Sequence, residues 1–439
     1  MKIMKFGGTS VGKPERMHDV AKLILMDDEP TIVVLSALSG TTNALVSIGE
    51  AMARGDKKIA KQLIDKLEAH YRDFINSLLE EEKTIAKANA VINEHFEFLN
   101  IILKISFNEA LNKDILAQGE LMSTKMFSIC LEEKGIDHAL LPALEFMSID
   151  SYDEPQIGTI KVKLKQLLQQ HKGKKLFVTQ GYICRNARGE VDNLKRGGSD
   201  YSASLISAAV NASVCEIWTD IDGMHNNDPR VVNKTVAIEQ LSFDEAAELA
   251  YFGAKILHPA SIWPAQQYKI PVKLLNTMQP TARGTLIAEE AGSVGVKAVA
   301  AKDGIYVIKI KSSRMLLAYG FLRKIFEVFE KYRTPIDMIT TSEVAVSLTI
   351  DNAVHLEEIL RELDPFGEVE VVKDQTIIAI VGNQLVSTQG ILAKLFSSLE
   401  KIPVGMVSFG GTPHNVSILV PSTFKTETLQ LLNSGLFGL

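Results

Sequence analysis

Three short stretches in this chain set a cation beside glycine. Lys5-Phe6-Gly7-Gly8-Thr9-Ser10 ends a short apolar run with a lysine and a glycine pair, and Arg196-Gly197-Gly198-Ser199-Asp200 repeats the theme with an arginine. Paired glycines let backbone N–H groups approach an anion closely, and a guanidinium is a rigid two-pronged cation. Ser199 and Asp200 open an Ala/Ser-rich helix, and a helix start with those neighbours suits a bound anion. Taken alone, the second stretch also reads as an ordinary turn before a capped helix. Two such loops in one chain suggest a phosphate site. The third stretch is Phe252-Gly253-Ala254-Lys255, where Lys255 by itself reads equally as a helix-end lysine that complements the dipole. Lys5, Arg196 and Lys255 together suit phosphoryl transfer, in which donor and acceptor are both anionic and the protein supplies chiefly position and positive charge. The chain has no Gly-x-x-x-x-Gly-Lys-Ser/Thr loop, no His-Arg-Asp kinase set and no Rossmann fingerprint.

The elements around these stretches are those of an α/β fold. Ile3 to Phe6 and Thr31 to Leu35 read as buried parallel strands joined by a crossover helix from Pro14 to Met26. The second strand runs into Ser36-Ala37-Leu38-Ser39-Gly40-Thr41-Thr42-Asn43, small polar residues at the strand end where open α/β sheets place ligands. Ala51 to Gly135 is predicted to be mostly helical scaffold, with one exception: in Gln118-Gly119-Glu120-Leu121 a glycine beside a lone carboxylate could admit a substrate ammonium group. Leu176 to Ile183 reads as a core strand, followed by a hairpin-like segment, the Arg196 loop and a helix from Tyr201. Cys215 to Asp220 is a further strand, and Ile221 to Arg230 a loop rich in turn residues at its end. Ser242 to Glu245 caps a helix that runs to Phe252.

Composition excludes several classes. Among 439 residues, 46% are hydrophobic and 23% charged, which is globular, and no apolar run approaches a membrane span. The N-terminus opens directly on a strand, so no secretion leader is expected, and the default location is cytoplasmic. A formal net charge of −6 argues against a nucleic-acid partner. Cys130, Cys184 and Cys215 show no metal-like spacing and read as reduced core thiols.

After Ala288-Glu289-Glu290-Ala291-Gly292-Ser293 the pattern changes to an approximate duplication. Ile305 to Ile310 leads to Gly320-Phe321-Leu322, and Thr376 to Val381 leads to Gly390-Ile391-Leu392; each helix then ends before a proline and a new strand, Pro335 to Ile339 and Pro403 to Val407. Two small α+β modules are the simplest reading. From composition and spacing alone, the protein is an α/β enzyme or binder of anions with a duplicated C-terminal module.

The Lys5 loop, the Arg196 loop, Trp218-Thr219-Asp220, Asp228-Pro229-Arg230, the Lys255 stretch with Leu257-His258-Pro259, and Ile339-Thr340-Thr341-Ser342-Glu343 resemble the aspartate kinases, in that family's order and over almost the whole chain. The length and the Thr-Thr-Ser-Glu stretch are most similar to the monofunctional, lysine-inhibited branch, and no homoserine dehydrogenase part is expected after Leu439. The resemblance implies an amino-acid-kinase-type, mainly parallel sheet flanked by helices over 1–292. Two ferredoxin-like ACT modules follow at 296–372 and 373–439, with the first opening strand able to belong to the second module.

It further implies ATP-dependent phosphorylation of the L-aspartate side-chain carboxylate, with magnesium riding on the ATP phosphates and metal ligands from the protein unknown. By position, Lys5 bridges phosphates beside Gly7 and Gly8, Arg196 holds the substrate α-carboxylate, Glu120 takes its ammonium group, and Thr42, Ser199 and Asp200 complete the pocket. Thr219, Asp220, His225, Arg230 and Lys255 match positions on the nucleotide side, with Lys5, Asp200 and Lys255 as the catalytic set. Met315, Leu322, Ile336, Asp337, Ser342 and Glu343 match effector-binding positions for lysine, and the ACT modules imply a homodimer or a dimer of dimers. Departures from the family pattern are Lys195 in place of glycine, His225 in place of tyrosine, and Leu317 and Ala318 in place of polar residues. Two rivals are weighed: a family member acting on glutamate, N-acetylglutamate or a nucleotide, and a catalytically silent ACT sensor. The tandem repeats with Thr-Thr-Ser-Glu count against the first, and the intact Lys5, Arg196, Asp200 and Lys255 against the second.

Overall fold

A computed structural model describes residues 1–194, 197–253, 257–290, 292–315 and 319–439. The described residues form two compact units. Met1–Met224, Glu239–Phe243 and Leu257–Glu290 make the first, and the rest make the second.

The first unit is built on an eight-stranded sheet. Its strands are β1 (Lys2–Phe6), β2 (Thr31–Leu35), β3 (Ala139–Leu141) and β4 (Leu176–Gln180); a two-stranded hairpin of β5 (Ile183–Arg185) and β6 (Val191–Asn193) stands apart; then come β7 (Cys215–Thr219), β8 (Gln240–Ser242), β9 (Val272–Asn276) and β10 (Thr285–Ala288). The order is β3-β4-β2-β1-β7-β9-β10-β8, parallel throughout except for the β9–β10 pair. Strands covered on both faces must be apolar almost continuously. That is why Ile3, Met4 and Phe6 on β1 and every residue of β2 are buried. Helix Pro14–Leu23 makes the first crossover, with proline in its first turn where no N–H is needed.

Helices Thr41–Ala53, Lys57–Leu78, Glu82–Ile102 and Glu109–Glu133 form the predicted scaffold. Tyr71, Phe74, Phe96 and Phe127 fill their shared core, with Tyr71 edge-on to Phe96 at 5.9 Å between ring centroids. Asn108 caps the last of these helices by accepting from the Leu111 N–H. All three cysteines are buried free thiols.

The second unit carries a six-stranded antiparallel sheet of β11 (Gly295–Lys311), β12 (Ile339–Thr341), β13 (Ala345–Ile350), β14 (Glu368–Asn383), β15 (Met406–Phe409) and β16 (Asn415–Pro421), in the order β12-β13-β11-β14-β16-β15. Two long strands run through both halves. The opening residues of β11, through Lys302, pair with the end of β14 beside β16, whereas Tyr306 to Lys311 pair with its beginning and with β13. A register shift near Gly304 separates the halves and turns the strand from one core to the other. One core gathers Ile308, Ile325, Phe329 and Leu348. The other gathers Ile378, Leu395, Ile418 and Leu429. The duplication is visible in backbone detail: helices Phe321–Lys331 and Ile391–Ser398 both start on left-handed glycines, Gly320 and Gly390, with φ of 77° and 76°.

Candidate functional site

The carboxyl ends of β1, β2, β4 and β7 lie side by side, because parallel neighbours end together. Lys5 stands near the end of β1, between Val34 and Ile217 on the flanking strands. Its Nζ lies 2.6 Å from Oδ1 of Asp200, with both side chains mostly buried. Asp200 occupies the first turn of helix Gly198–Val210, which begins one turn earlier than Tyr201, on Gly197 with φ of 71°. A carboxylate there also faces the positive end of the helix dipole.

Ser199 is brought in by a glycine. A Cβ on Gly181 would sit 2.4 Å from the Ser199 side chain, so only glycine lets β4 run out against this helix. Ser199 Oγ then accepts from Ser36 Oγ at 2.9 Å, and the Ser36 carbonyl accepts from Ser123 Oγ at 2.6 Å. The predicted strand through Ile183 stops at Gln180, because Tyr182 turns into left-handed backbone with φ of 65°, its N–H donating to Ser202 Oγ. Such backbone in a bulky residue is strained and is retained where surroundings enforce it.

Glu120 is only 4% exposed. Its Oε1 accepts a long 3.4 Å bond from the Ala37 N–H, and its Oε2 is buried with no hydrogen-bond partner among the described residues. Burial pushes its pKa up to about 8, against the smaller opposing effect of backbone hydrogen bonds. Burial, with the Glu120 charge second, likewise pushes the Tyr182 phenol up to about 12. The solvated surface carboxylate that an isolated glutamate suggests is therefore absent. The reason for Gly119 also differs from the one its neighbour suggested: a Cβ there would come 2.9 Å from Ala37 Cβ and 3.2 Å from Thr41, so the glycine serves helix packing. Thr41 is buried and shares a hydrogen bond with Tyr71, while Thr42 is exposed.

The structure thus brings together Lys5, Asp200, Ser199 and the carboxylate of Glu120 within the first unit, with Gly7 and Gly8 following Lys5; Gly7 N–H donates to the Trp218 carbonyl. Thr219 and Asp220 close β7, with the Thr219 hydroxyl donating to Asp220. Arg196 and Lys255, with Lys195, Leu317 and Ala318, lie outside the described residues. His225 and Arg230 belong to the second unit. His225 Nδ1 shares a hydrogen bond with Thr235, and both prongs of the exposed Arg230 fork are held by Asp228, whose pKa that hydrogen bonding lowers. Ser36 opens the strand-end stretch marked in the sequence, whereas Ser123 and Tyr182 are site neighbours that motif reading missed; the available signal was Gly181 inside a run of strand formers, which marks a bend.

Of the predicted effector residues, Met315, Leu322 and Ile336 pack at the edge of the first repeat's core. Ser342 N–H donates to the Ala345 carbonyl, and Glu343 is exposed. Asp337 is not a solvated strand end: its side chain is 1% exposed. Oδ1 accepts from Lys302 Nζ at 2.7 Å and from the Tyr251 hydroxyl, while Oδ2 is buried without a partner among the described residues. Lys302 also pairs with Asp351 at 2.9 Å and lies over the Tyr251 ring. Burial disfavours this ammonium, but its hydrogen bonds to Asp337 and Asp351 outweigh that, and its pKa is raised.

A parallel α/β unit with a cationic glycine loop, followed by a doubled α+β sheet, defines an amino acid kinase with an ACT region. The amino acid kinase family profile matches residues 1–276 and an ACT domain profile matches residues 378–436, so the chain belongs to the amino acid kinase family. Its relatives are aspartokinases. It is 32% identical to lysine-sensitive aspartokinase 3 of Escherichia coli over 99% of both chains, and 35% identical to the chloroplastic aspartokinase 3 of Arabidopsis thaliana over 99% of this chain and 81% of that one. Escherichia coli aspartokinase III in complex with aspartate and ADP superposes over 100% of both chains with a TM-score of 0.83, and its complex with lysine and aspartate with 0.82, covering 100% of this chain and 99% of that one.

The Glu120 environment generates a pH prediction. Because its folded pKa is raised, the unfolded chain gives up this proton first, and folding stability falls as pH rises from about 4.5 toward about 8. Glutamine cannot ionise. The unfolding free energy of Glu120→Gln relative to wild type should therefore improve by about 3 kcal/mol between roughly pH 5 and pH 8, measured by denaturant melts. A pH-independent difference would mean that Glu120 titrates as an ordinary carboxylate.

Proposed function

We propose that the chain transfers the γ-phosphoryl group of ATP to the side-chain carboxylate of L-aspartate, giving 4-phospho-L-aspartate and ADP, the first step toward lysine, threonine and methionine. The observation that carries this reading is the placement, in one unit, of an anchored ammonium, Lys5 on Asp200, and a buried carboxylate, Glu120, that pairs with no cation among the described residues. The first suits phosphate and the second suits an amino acid's ammonium group.

The acceptor carboxylate is ionised at neutral pH, so its oxygen attacks phosphorus directly and the bond to the ADP oxygen breaks, with no proton to be removed. Position and charge are what the protein must supply. Lys5 bridges the transferring phosphate, and Asp200 holds its ammonium in place. Arg196 grips the α-carboxylate as a bidentate pair, Glu120 takes the ammonium, and Thr42 and Ser199 complete the substrate side. Thr219, Asp220, His225, Arg230 and Lys255 serve ATP, Lys255 neutralising charge on the phosphoryl group. Magnesium enters with the nucleotide, carried on the ATP phosphates.

Lysine is the proposed feedback effector, bound at the first repeat by Met315, Leu322, Ile336, Asp337, Ser342 and Glu343. The second repeat has Gly405 in the place of Asp337 and offers no carboxylate at that position. Edge strands β12 and β15 leave backbone groups available for pairing, which supports a homodimer or dimer of dimers assembled through this sheet.

A hydroxamate assay tests the reaction, since an acyl phosphate traps hydroxylamine. With MgATP, aspartate should be the sole good substrate in a panel with glutamate and N-acetylglutamate, and Lys5→Ala should lower kcat by about 10²–10³-fold. Equal use of glutamate, or an unaffected kcat in the variant, refutes the corresponding assignment.

Aspartate binding should also release a proton. Glu120 is largely protonated at neutral pH and becomes ionised against the incoming ammonium, so titration calorimetry at pH 7 in buffers of different ionisation enthalpy should show release of about one proton. No buffer dependence would remove Glu120 as the ammonium acceptor.

For regulation, Asp337→Asn should raise the lysine concentration for half-inhibition at least about tenfold, the loss of a hydrogen bond to a charged group. An unchanged inhibition curve, or inhibition of the wild type by threonine in place of lysine, sinks the effector assignment.

A further inference from the structure

The loop that carries His225 and Arg230 is fastened by a buried asparagine cluster that no motif accounts for. Asn226, Asn227 and Asn433 are each at most 4% exposed. Asn433 heads a π-helical turn, Asn433–Phe437, that follows helix Lys425–Leu432 at the far end of the chain. Such wide turns are uncommon and recur at functional positions. This one is pinned by Lys394, whose Nζ donates to the Leu436 carbonyl at 3.1 Å.

Every polar atom of the Asn433 side chain is used on the loop. Its Nδ2 donates to the Lys234 carbonyl at 2.9 Å, and its Oδ1 accepts from Asn226 Nδ2 at 3.1 Å and, more weakly, from Asn227 Nδ2 at 3.4 Å. Asn227 Nδ2 also donates to the Leu429 carbonyl at 2.9 Å. Asn226 in turn closes the loop on itself: its backbone N–H donates to the Val236 carbonyl, and its Oδ1 accepts from the Val236 N–H at 2.6 Å. The Asn226 carbonyl accepts from the Val299 N–H on β11, which ties the same residue to the sheet. Val232 adds an apolar anchor in the core that holds Leu429 and Leu432. The stem of the loop is thus fixed on both sides, while its tip, Asp228-Pro229-Arg230, is left at the surface with Arg230 78% exposed.

We infer that Asn433 is a positioning residue for the nucleotide: by gripping both strands of the loop stem it holds His225 and Arg230 in the arrangement that receives ATP. The inference rests on the reading of those two residues as nucleotide ligands. The side-chain amide of Asn433 meets the requirement at this position, since one side donates to a carbonyl while the other accepts from amide N–H groups. An alanine takes away the partner of the Lys234 carbonyl and leaves the buried Asn226 Nδ2 without Asn433 Oδ1, which loosens the stem. The apparent affinity for ATP then falls in proportion to the fraction of molecules with the loop in place.

The test uses the full chain with Asn433→Ala, Asn227→Ala and Arg230→Ala, assayed by ADP release with MgATP and L-aspartate varied in turn. Both asparagine variants should raise KM for MgATP by about five- to tenfold, with KM for aspartate within about twofold of wild type and the loss falling on KM rather than on kcat. Losses spread equally over kcat and both KM values, or no change in KM for MgATP, overturn the inference. A rise for Arg230→Ala without one for Asn433→Ala rejects the positioning role and keeps the loop as a nucleotide element. No rise for any of the three rejects the nucleotide reading itself, and the wild-type assay tests the underlying reaction separately. If Asn433→Ala does not accumulate as folded protein, Asn227→Ala decides by the same criterion, because it releases the loop without altering the C-terminal turn.

Discussion

The first unit depends on one ammonium being held still. A lysine is a point charge on a flexible four-carbon stem, and it stabilises a developing charge only if the stem is packed and the head restrained. Both conditions are met at the end of β1: the strand is hydrogen-bonded on both sides, and Asp200 holds Lys5 Nζ at 2.6 Å. The cost of desolvating such a pair offsets much of its attraction, so its worth lies in geometry more than in stability. The remaining features follow as conditions for that geometry. Helix Gly198–Val210 must begin beside β1 to present Asp200 in its first turn, Gly181 must lack a side chain so that Ser199 can close in, and Ser36 must bridge the end of β2 to Ser199.

Two buried carboxylates show how differently charge is managed in the two units. Among the described residues Glu120 has a long hydrogen bond from the Ala37 N–H and no cation, and burial raises its pKa to about 8. It is a group whose environment improves when a cation arrives. Asp337 already has one in Lys302, which it shares with Asp351. A cation reaching its open Oδ2 meets a carboxylate partly neutralised from within the chain, so its binding is weaker and more easily adjusted than binding at a bare carboxylate.

The second unit also shows how a duplication is made into one body. β11 and β14 each run through both repeats, and a register shift near Gly304 lets one strand serve two cores without a break in the sheet. Residues 225–238, distant in sequence, add to that body through three asparagines and Val232. Amide side chains can do this because each donates and accepts at once, which lets them close loops where no regular ladder runs.

Much of this was determined by the sequence alone. Strand and helix periodicity, the glycine pairs after Lys5 and Arg196, and the repeat opening at Gly320 and Gly390 all act locally, through backbone freedom and the burial of apolar faces, so they are legible in order along the chain. The resemblance carried by those motifs extended the reading to the reaction. What only the tertiary structure decided concerns groups far apart in sequence. The sequence does not say that Glu120 is buried, which depends on the Ala37 loop, or that Asp337 is held by Lys302 and Tyr251. Strand β4 ends at Gln180 as Tyr182 turns into left-handed backbone, and Ser199 closes in on the space left at Gly181. Asn433 carries no motif, since its meaning lies in three hydrogen bonds to residues some two hundred positions earlier. Desolvation and long-range hydrogen bonding depend on what the fold brings near, and the local pattern of a sequence does not contain that information.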